Sequence, residues 1–332
     1  MMITVVLCTF NRCQCLANAL HSVAQSKLPE SAEWEVLVVD NNSGDQTRQV
    51  AEEFCRQYPG HFRYIFEPQQ GKSYALNTAI QEARGEILAF MDDDVTVDPT
   101  WLQNLTSGLV GAEWSGAGGR ILPARTFPIP PWLPLQGPFN MGGMLALFDL
   151  GETAKELARP PFGTNMAFRK KMFEKYGGFR TDLGPCPGSE MRNEDTEFGR
   201  RLLAKGERIR YESSAVVYHD IPEARLTREY FLAFWFDCGR ANIREAEKRP
   251  DRWGIQRRYL TMLKHVLVLV PVKTVEWLFA SGPQTRFYRK CWVWYTAGQI
   301  VEIYRRWFLT TSKEKNSSTM SEPASQLDDT IQ

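Results

Sequence analysis

The chain has 332 residues, which is enough for one large domain or two smaller ones with a sizeable hydrophobic core. Hydrophobic residues make up 43% of it and charged residues 24%, as in an ordinary globular protein. The 40 basic residues balance 39 acidic ones for a formal net charge of +1, which excludes the basic excess expected of a protein whose partner is nucleic acid.

The first hundred or so residues alternate between short apolar runs rich in β-branched side chains and segments with helical periodicity. Strands are predicted at ITVVLCTF, WEVLVVD, FRYIFEP and GEILAFMDDD. The helices predicted between them are RCQCLANALHSVAQS, DQTRQVAEEFCRQY and GKSYALNTAIQEAR. This alternation is typical of an α/β fold, in which crossover helices connect the strands of a mostly parallel central sheet.

Each predicted strand is followed by a polar cluster. The four clusters are TFNR, DNNSGD, PQQGK and DDD. In an open parallel sheet, ligands bind in the crevice beyond the carboxyl ends of the strands. We therefore expect all four clusters to line one crevice.

The triplet Asp92, Asp93 and Asp94 directly follows an apolar run. Like charges so close together are costly unless a positive group lies beside them, and a metal ion is one candidate. Side chains alternate along a strand, so Asp92 and Asp94 would share a side and hold a hard cation such as Mg²⁺ together with substrate phosphates. The alternative is a solvated acidic turn before Pro99.

Two other strand ends carry single candidates. Asp40 closes the second strand, where its carboxylate can accept hydrogen bonds from a ligand or form an Asx-turn within DNNSGD. Lys72 follows Gly71 at a helix start, where it can meet a diphosphate or remain exposed to solvent. The sequence contains neither a P-loop pattern nor a G-x-G-x-x-G after the first strand, which argues against a dinucleotide-binding dehydrogenase.

The segment from Trp114 to Pro160 is rich in Gly, Pro and aromatic residues, which predicts long loops that shape a pocket or connect two domains. Further on, Glu194 and Asp195 open an amphipathic helix. They can simply suit the helix dipole, or one of them can be a general base. His219 ends another predicted strand, as a structural residue or as an imidazole ligand to a metal.

Beyond Leu226 the sequence is helical and rich in Trp, Tyr, Arg and Lys, and residues 311–332 have the composition of a disordered tail. The aromatic residues of this region and of the Pro-rich segment, Trp132 among them, can build a second core, stack on sugars or lie on a membrane. The longest apolar run, 266–272, is shorter than the roughly 18 residues of a membrane span. Seven cysteines without a regular framework and a start without a signal-peptide pattern predict a cytoplasmic location, with peripheral membrane contact left open.

An ordered series of motifs resembles those of family 2 inverting glycosyltransferases, which have the GT-A fold. The motifs are VVLCTFNR, VLVVDNNSGDQT, GKSYALNTAI, FMDDDV, GTNMAFRK, NEDTEFGRRL and VYHDIP. They extend from Ile3 to about His219. The resemblance implies a Rossmann-like GT-A domain over residues 1–225, with a nucleotide-binding half (about 1–110) and an acceptor half (about 111–225), followed by a helical extension at 226–310.

The resemblance also implies roles for individual residues. The expected donor is a nucleotide-diphosphate sugar, most often a UDP-sugar, bound with Mg²⁺ or Mn²⁺. The implied nucleotide-sugar contacts are Thr9, Asn11, Arg12, Asp40, Asn42, Lys72, Asn77, Asp92 and Asp93. The implied metal ligands are Asp94 and His219, with Asp92 as a further candidate from strand alternation. The implied sugar or acceptor pocket contains Gly163, Thr164 and Asn165, and Trp101 is a further stacking candidate.

By the same resemblance, Asp195 is the base that deprotonates an acceptor hydroxyl, and inversion at the sugar C1 follows from a single displacement. Glu194 and Glu190 are competing candidates, because a Gly-, Pro- and Ser-containing insertion precedes the Glu-Asp pair. The acceptor is expected to be a glycan or a glycolipid. Two other classes remain as alternatives: a glycoside hydrolase with paired carboxylates, and a non-catalytic sugar- or nucleotide-binding protein.

Overall fold

A computed structural model describes residues 1–27, 32–111, 113–189, 191–246 and 260–306. Two features of the sequence lie outside these residues. They are Glu190, one of the candidate bases, and the tail at 311–332 that is predicted to be disordered.

The described residues form one mixed sheet of nine strands. The strands are β1 (Met2–Thr9), β2 (Glu33–Asp40), β3 (Phe62–Phe66), β4 (Ile87–Met91), β5 (Val95–Val97), β6 (Gly116–Pro123), β7 (Lys155–Glu156), β8 (Asn165–Arg169) and β9 (Ile209–His219). Their order is β3-β2-β1-β4-β8-β6-β9-β5, and β7 pairs with β9 beside this path. Strands β1 to β4 pair in parallel, whereas β8 is antiparallel to β4 and to β6.

Helices cover the sheet and continue beyond it. They are α1 (Cys13–Ala24), α2 (Thr47–Gln57), α3 (Lys72–Glu82), α4 (Trp101–Ser107), α5 (Lys170–Tyr176), α6 (Glu194–Leu203), α7 (Arg228–Ala246), α8 (Val270–Leu278) and α9 (Pro283–Tyr304). Short 3₁₀ turns lie at Gly137–Phe139, Gly142–Leu145 and Glu223–Leu226, and a π-helical turn at His265–Leu269 precedes α8. Among the described helices, none combines the length and the hydropathy that crossing a bilayer requires.

The first four strands and the helices between them lie where the sequence pattern predicts them. All five residues of β4 are buried, because helices pack on both faces of a parallel sheet. The register places Thr9 of β1 opposite Asp40 of β2 and Leu7 opposite Met91 of β4. The carboxyl ends of these strands therefore meet at one edge of the sheet, as expected.

Two sequence-based expectations differ from the structure. Strand β4 ends at Met91, so the three aspartates lie in a turn and strand alternation does not set their directions. The Gly-rich segment after Trp114 is not entirely loop, since Gly116–Pro123 forms β6 inside the sheet. Glycine is required there for close packing: a Cβ on Gly119 would lie 2.2 Å from the Asn165 side chain.

The aromatic residues of the Pro-rich segment and of the C-terminal helices form a second hydrophobic cluster. Trp132 packs against Phe231 of α7 and Phe287 of α9, with ring centroids 5.4 and 4.5 Å apart. Leu133, Met141 and Leu145 are buried in the same cluster. This cluster holds the segment before β7 against α7 and α9. It thereby also positions the loop that covers one side of the cavity described below.

Candidate active site

A cavity of about 500 Å³ opens at the carboxyl ends of β1 and β4. Its wall combines the strand ends with the starts of α3 and α6 and the 3₁₀ turn before Ala146. The predicted site residues in its wall are Thr9, Arg12, Lys72, Asp92, Asp93, Asp94, Thr164, Glu194, Asp195 and His219. Residues distant in sequence thus meet in one place.

Asp92 is paired with a lysine at the floor of the cavity. Its Oδ1 accepts a hydrogen bond from Lys72 Nζ at 2.7 Å, and its Oδ2 accepts one from Thr164 Oγ1 at 2.7 Å. Thr164 reaches it because β8 pairs with β4 through Met91 and Asn165. Burial opposes ionisation of Asp92, but the Lys72 ammonium outweighs it and lowers the pKa of the carboxyl group.

Asp93 is the most deeply buried carboxylate of the triplet. It accepts hydrogen bonds from Thr9 Oγ1 at 2.7 Å and from Arg12 Nη1 at 3.0 Å. Burial raises the pKa of Asp93 to about 6, with Arg12 opposing the shift and the neighbouring Asp94 adding to it. Its position between Thr9 and Arg12 ties the acidic turn to the end of β1.

Asp94 lies among three basic side chains. Its Oδ2 is 3.1 Å from Arg12 Nη1, 3.2 Å from Arg225 Nη2 and 3.5 Å from His219 Nε2. Burial alone would raise its pKa, but His219, Arg225 and Arg12 outweigh burial and hold the pKa of Asp94 below its ordinary value. Asp94 meets His219 because Val95, the next residue, pairs with His219 across β5 and β9.

His219 is almost fully buried, with 1% of its surface exposed. Its Nδ1 lies 2.9 Å from the carbonyl oxygen of Leu145, which can only accept, so Nδ1 carries the hydrogen. In the neutral imidazole the lone pair is then on Nε2, which faces Asp94 and lies 3.0 Å from Arg225 Nη1. A backbone carbonyl that orients the distal ring nitrogen is the usual support of a metal-ligating histidine.

Glu194 lies beside the same lysine that pairs with Asp92. Lys72 Nζ lies 3.7 Å from the buried carboxylate of Glu194. Burial disfavours the charged ammonium, but Asp92 and Glu194 outweigh it and raise the pKa of Lys72. Burial raises the pKa of Glu194 to about 7, a shift that Lys72 opposes and Asp195 reinforces. Glu194 is therefore partly protonated near neutral pH.

Asp195 is half-buried and held by backbone N–H groups. Its Oδ2 accepts a hydrogen bond from Gly163 N at 2.6 Å, and its Oδ1 accepts one from Thr196 N at 2.6 Å. These bonds fix the carboxylate in one orientation at the cavity wall. Gly163 is placed there by the loop before β8. Through its hydrogen bonds, this loop links the acidic turn to α6.

Other predicted residues support the strand-end loops through their own hydrogen bonds. Buried Asp40 accepts bonds from Ser43 N, three residues further on, and from Tyr64 Oη, each at 2.9 Å, so its carboxylate holds the turn after β2. The Asn11 side chain accepts a bond from Gly44 N at 2.7 Å. Exposed Asn42 donates to the Pro68 carbonyl at 3.4 Å.

Asn77, Asn165 and Trp101 also lie away from the cavity wall. Asn77 forms two hydrogen bonds with the backbone of Phe179. Trp101 is fully buried and donates its indole N–H to Asn165 Oδ1 at 2.8 Å. The Trp101 ring is thus part of the core and is not exposed for stacking on a sugar, because α4 packs it against the sheet.

The cavity wall also contains residues that the sequence analysis did not single out. They are Phe10, Asn41, Gln70, Gly143, Met144, Cys186, Arg192, Arg225 and Phe234, among others. Asn41 could have been found, since it belongs to the polar cluster after β2 and accepts a hydrogen bond from Gly71 N at 2.7 Å. Arg225 has no comparable signal, because only the turn after β9 carries it back to Asp94.

Within the described ranges, no group of three or more His, Cys, Asp or Glu side chains is arranged to hold a metal ion. Asp94 Oδ2 and His219 Nε2 are an oxygen and a nitrogen atom that lie 3.5 Å apart. An ion bound by these two side chains would therefore need further ligands from a substrate or from water, which is the usual situation of Mg²⁺ at a phosphate-binding site.

The sheet topology and the cavity at its strand ends are those of the GT-A fold. The sequence model described as "Glycosyl transferase family 2" matches residues 4–177. The chain therefore belongs to glycosyl transferase family 2 and is a glycosyltransferase, which confirms the expected family and enzyme class.

Relatives and solved structures agree with this assignment. The succinoglycan biosynthesis protein ExoM of Rhizobium meliloti is 29% identical over 260 residues, which cover 76% of this chain and 79% of that protein. The mannosyltransferase PcManGT of Pyrobaculum calidifontis, in complex with GDP-Man and Mn²⁺, has a TM-score of 0.54 at 17% identity, over 96% of this chain and 80% of that one. S. aureus TarS (1–349) in complex with UDP-GlcNAc has a TM-score of 0.52 at 17% identity, over 95% and 92% of the two chains. These structural likenesses confirm the fold.

Proposed function

We propose that this glycosyltransferase takes a sugar from a UDP-sugar and transfers it, with inversion at C1, to an acceptor hydroxyl. The observation that carries this proposal is the meeting of Asp94, His219 and Asp195 in one cavity at the strand ends. A binding protein needs no base, and a glycoside hydrolase needs no cavity at the nucleotide-binding edge of a parallel sheet. PcManGT and TarS, whose structures contain nucleotide sugars, support the donor class.

For the donor, we assign direct contacts to the residues that line the cavity. Thr9, Arg12 and Lys72 offer donors to the nucleotide and its diphosphate, and Asp92 and Asp93 hold those donors in place. The remaining predicted contacts act by shaping loops: Asn11, Asp40 and Asn42 hold the turns after β1 and β2, and Asn77 holds the segment before α6. These four residues affect the cavity only through the backbone that they support.

For the metal, we propose Mg²⁺ or Mn²⁺ held by Asp94 Oδ2 and His219 Nε2. These atoms are 3.5 Å apart, a spacing that two neighbouring ligands of one ion can have, and the Leu145 carbonyl orients the imidazole. Asp92 is engaged by Lys72 and Thr164 instead, whereas Asp94 is the aspartate that lies beside the imidazole of His219. When bound, the ion would act as a Lewis acid that neutralises charge on the departing UDP.

For the base, we propose Asp195. Its carboxylate is half-buried at the cavity wall and oriented by two backbone N–H groups, so it can accept the proton of an acceptor hydroxyl as that oxygen attacks C1. The new C1–O bond forms as the bond from C1 to the UDP oxygen breaks, on the opposite face of the sugar. Glu194 is the second candidate, but it is buried against Lys72 and partly protonated near pH 7. Glu190 stays a candidate outside the described residues.

The proposal predicts a metal-dependent rise in melting temperature with UDP. The test compares UDP, GDP and dTDP, each with Mn²⁺ and with EDTA. A ligand at a hundred times its Kd stabilises the native state by about 2.7 kcal/mol, which raises the melting temperature of a chain of this size by about 3 to 6 °C. A rise with UDP and Mn²⁺ that exceeds those with GDP and dTDP is expected. No rise with any nucleotide would contradict the proposed nucleotide-sugar donor and its metal dependence.

For the acceptor, we propose a glycan or a lipid-linked saccharide in polysaccharide or glycolipid synthesis, with the enzyme peripheral on the cytoplasmic face of a membrane. The name of ExoM, a succinoglycan biosynthesis protein, supports the first part. The second part is supported by exposed apolar side chains between residues 260 and 279, among them Leu267 (65% exposed) and Phe279 (84% exposed). Exposed Lys264 lies within this stretch and exposed Arg286 follows it in the sequence, and such basic side chains suit a surface that meets anionic lipids.

We expect the full chain to float with vesicles that contain anionic phospholipid and to lose this association in the double variant Leu267→Glu, Phe279→Glu. Two charges on the exposed face oppose its burial among lipid headgroups and acyl chains. The matched control is Val110→Glu, which adds a charge at an exposed apolar residue after α4. Failure of the wild-type chain to float, or equal flotation of the double variant, would contradict the membrane part of the proposal.

A further inference from the structure

Arg225 lies across the two side chains to which a metal has been assigned. It belongs to the 3₁₀ turn Glu223–Leu226 that follows β9, and its side chain is 15% exposed. Its Nη1 is 3.0 Å from His219 Nε2, and its Nη2 is 3.2 Å from Asp94 Oδ2. One planar guanidinium thus contacts both atoms at once, with one N–H group directed at each.

These contacts use the same electron pairs that a metal ion would need. A hydrogen bond to Nε2 occupies the imidazole lone pair, and the ion pair at Oδ2 neutralises the carboxylate. Asp94 is already close to Arg12. Addition of a divalent ion with Arg225 still in place would gather three cationic groups around one carboxylate oxygen, so the guanidinium and the ion compete for the same place.

We propose that the guanidinium of Arg225 occupies the metal position in the free enzyme. When the donor and its metal bind, the metal takes this position and the guanidinium pairs with the donor diphosphate. This inference rests on the proposed function. Arg225 leaves Asp94 and His219 but remains in the cavity wall, where a diphosphate supplies the negative charge that it has given up. Arginine suits this exchange, because its fork pairs equally well with carboxylate and with phosphate oxygens.

The exchange makes metal and donor binding depend on each other. Without a donor, a metal must displace Arg225 with no new partner for the guanidinium, so binding is weak. With the donor present, Arg225 gains the diphosphate and the metal gains its ligands, so each binding step favours the other. A cation faces the acidic turn in both states, which offsets the repulsion among three adjacent carboxylates.

The test measures Mn²⁺ binding to the full chain by the loss of the free-ion signal in electron paramagnetic resonance, with and without UDP. We expect Arg225→Met to bind Mn²⁺ alone about three- to tenfold more tightly than wild type, because one competing ion pair is gone. The same variant should bind UDP more weakly at saturating Mn²⁺. Arg225→Lys keeps the charge but not the two-pronged fork, and it should fall between wild type and Arg225→Met for Mn²⁺ alone.

The outcomes separate this inference from the proposed function. If the wild type binds UDP with Mn²⁺ while neither Arg225 variant binds Mn²⁺ alone more tightly than wild type, the exchange is wrong and the donor site stands. Tighter Mn²⁺ binding by Arg225→Met but not by Arg225→Lys would show that charge alone matters and would overturn the role of the fork. If the wild type binds no nucleotide at all, the proposed function fails, and the exchange fails with it.

Discussion

Replacement of Asp195 by Asn is expected to lower sugar transfer by about 10²- to 10⁴-fold, the usual contribution of a positioned general base. Asn has the same shape and can keep one of the two backbone hydrogen bonds that hold Asp195, but its amide cannot take a proton from the acceptor hydroxyl. The measurement is UDP release from a panel of UDP-sugars in the presence of lipid and glycan acceptors. UDP binding, read from the melting temperature, should remain near the wild-type value.

The matched control is Glu194→Gln, which changes the neighbouring carboxyl group to an uncharged amide. Glu194 already carries a proton part of the time near neutral pH, because burial raises its pKa to about 7. The variant is therefore expected to retain much more activity than Asp195→Asn. Full activity in Asp195→Asn together with a large loss in Glu194→Gln would assign the base to Glu194, and full activity in both would leave Glu190.

The same control carries a pH signature in stability. The folded-state pKa of Glu194, about 7, lies above the ordinary glutamate value of 4.5, so the folded protein binds this proton more tightly than the unfolded chain does. The resulting stabilisation is complete below pH 4.5 and is lost as the pH rises towards 7. Glu194→Gln should lack this part of the pH dependence of the free energy of unfolding.

Replacement of Asp94 by Asn is expected to abolish the Mn²⁺-dependent part of the stabilisation by UDP. The amide has no charge for a divalent ion, although it fills the same space beside Arg12, Arg225 and His219. Loss of the carboxylate also leaves the guanidinium groups of Arg12 and Arg225 without their shared partner, so the ligand-free variant should melt below the wild type. Each shift must therefore be referred to the ligand-free melting temperature of the same variant.

Asp92→Asn is the matched control for the acidic turn. It removes a charge two residues away, from a carboxylate that is engaged by Lys72 and Thr164 and lies apart from His219. It should keep the Mn²⁺-dependent shift. In the reverse result, the shift would be lost in Asp92→Asn and kept in Asp94→Asn. That result would assign the metal to Asp92, beside Lys72, instead of Asp94.

The fold of the first hundred residues could be predicted because its signals are local. Apolar runs such as that of β4 are buried on both faces, and polar residues follow each strand at the point where the chain leaves the sheet. The family could be predicted for a related reason: seven short motifs occur in order, and the match of the family to residues 4–177 confirms that assignment. Strand β6 was missed because its glycines, chosen for close packing against β8, also favour loops.

The contacts that distinguish the residues of the site join segments that are distant in the sequence. From sequence, Asp92, Asp93 and Asp94 are three equal carboxylates. In the structure each has a different set of partners, because the strand ends at Met91. Asp92 meets Lys72, Asp93 meets Arg12, and Asp94 shares Arg12 and also meets His219 and Arg225. Sequence adjacency carries no information on such directions once regular alternation stops.

The sequence by itself determined the α/β architecture, the family and several of the strand-end residues that meet at the site, since periodicity and ordered motifs are properties of the chain. Only the tertiary structure decided that Asp94 faces His219, that Asp40 and Trp101 are engaged in the scaffold, and that Arg225 contacts the proposed metal ligands. These facts arise from the pairing of β5 with β9 and from the turn after β9. Partners so far apart along the chain are chosen by packing, which acts only when the whole fold has formed.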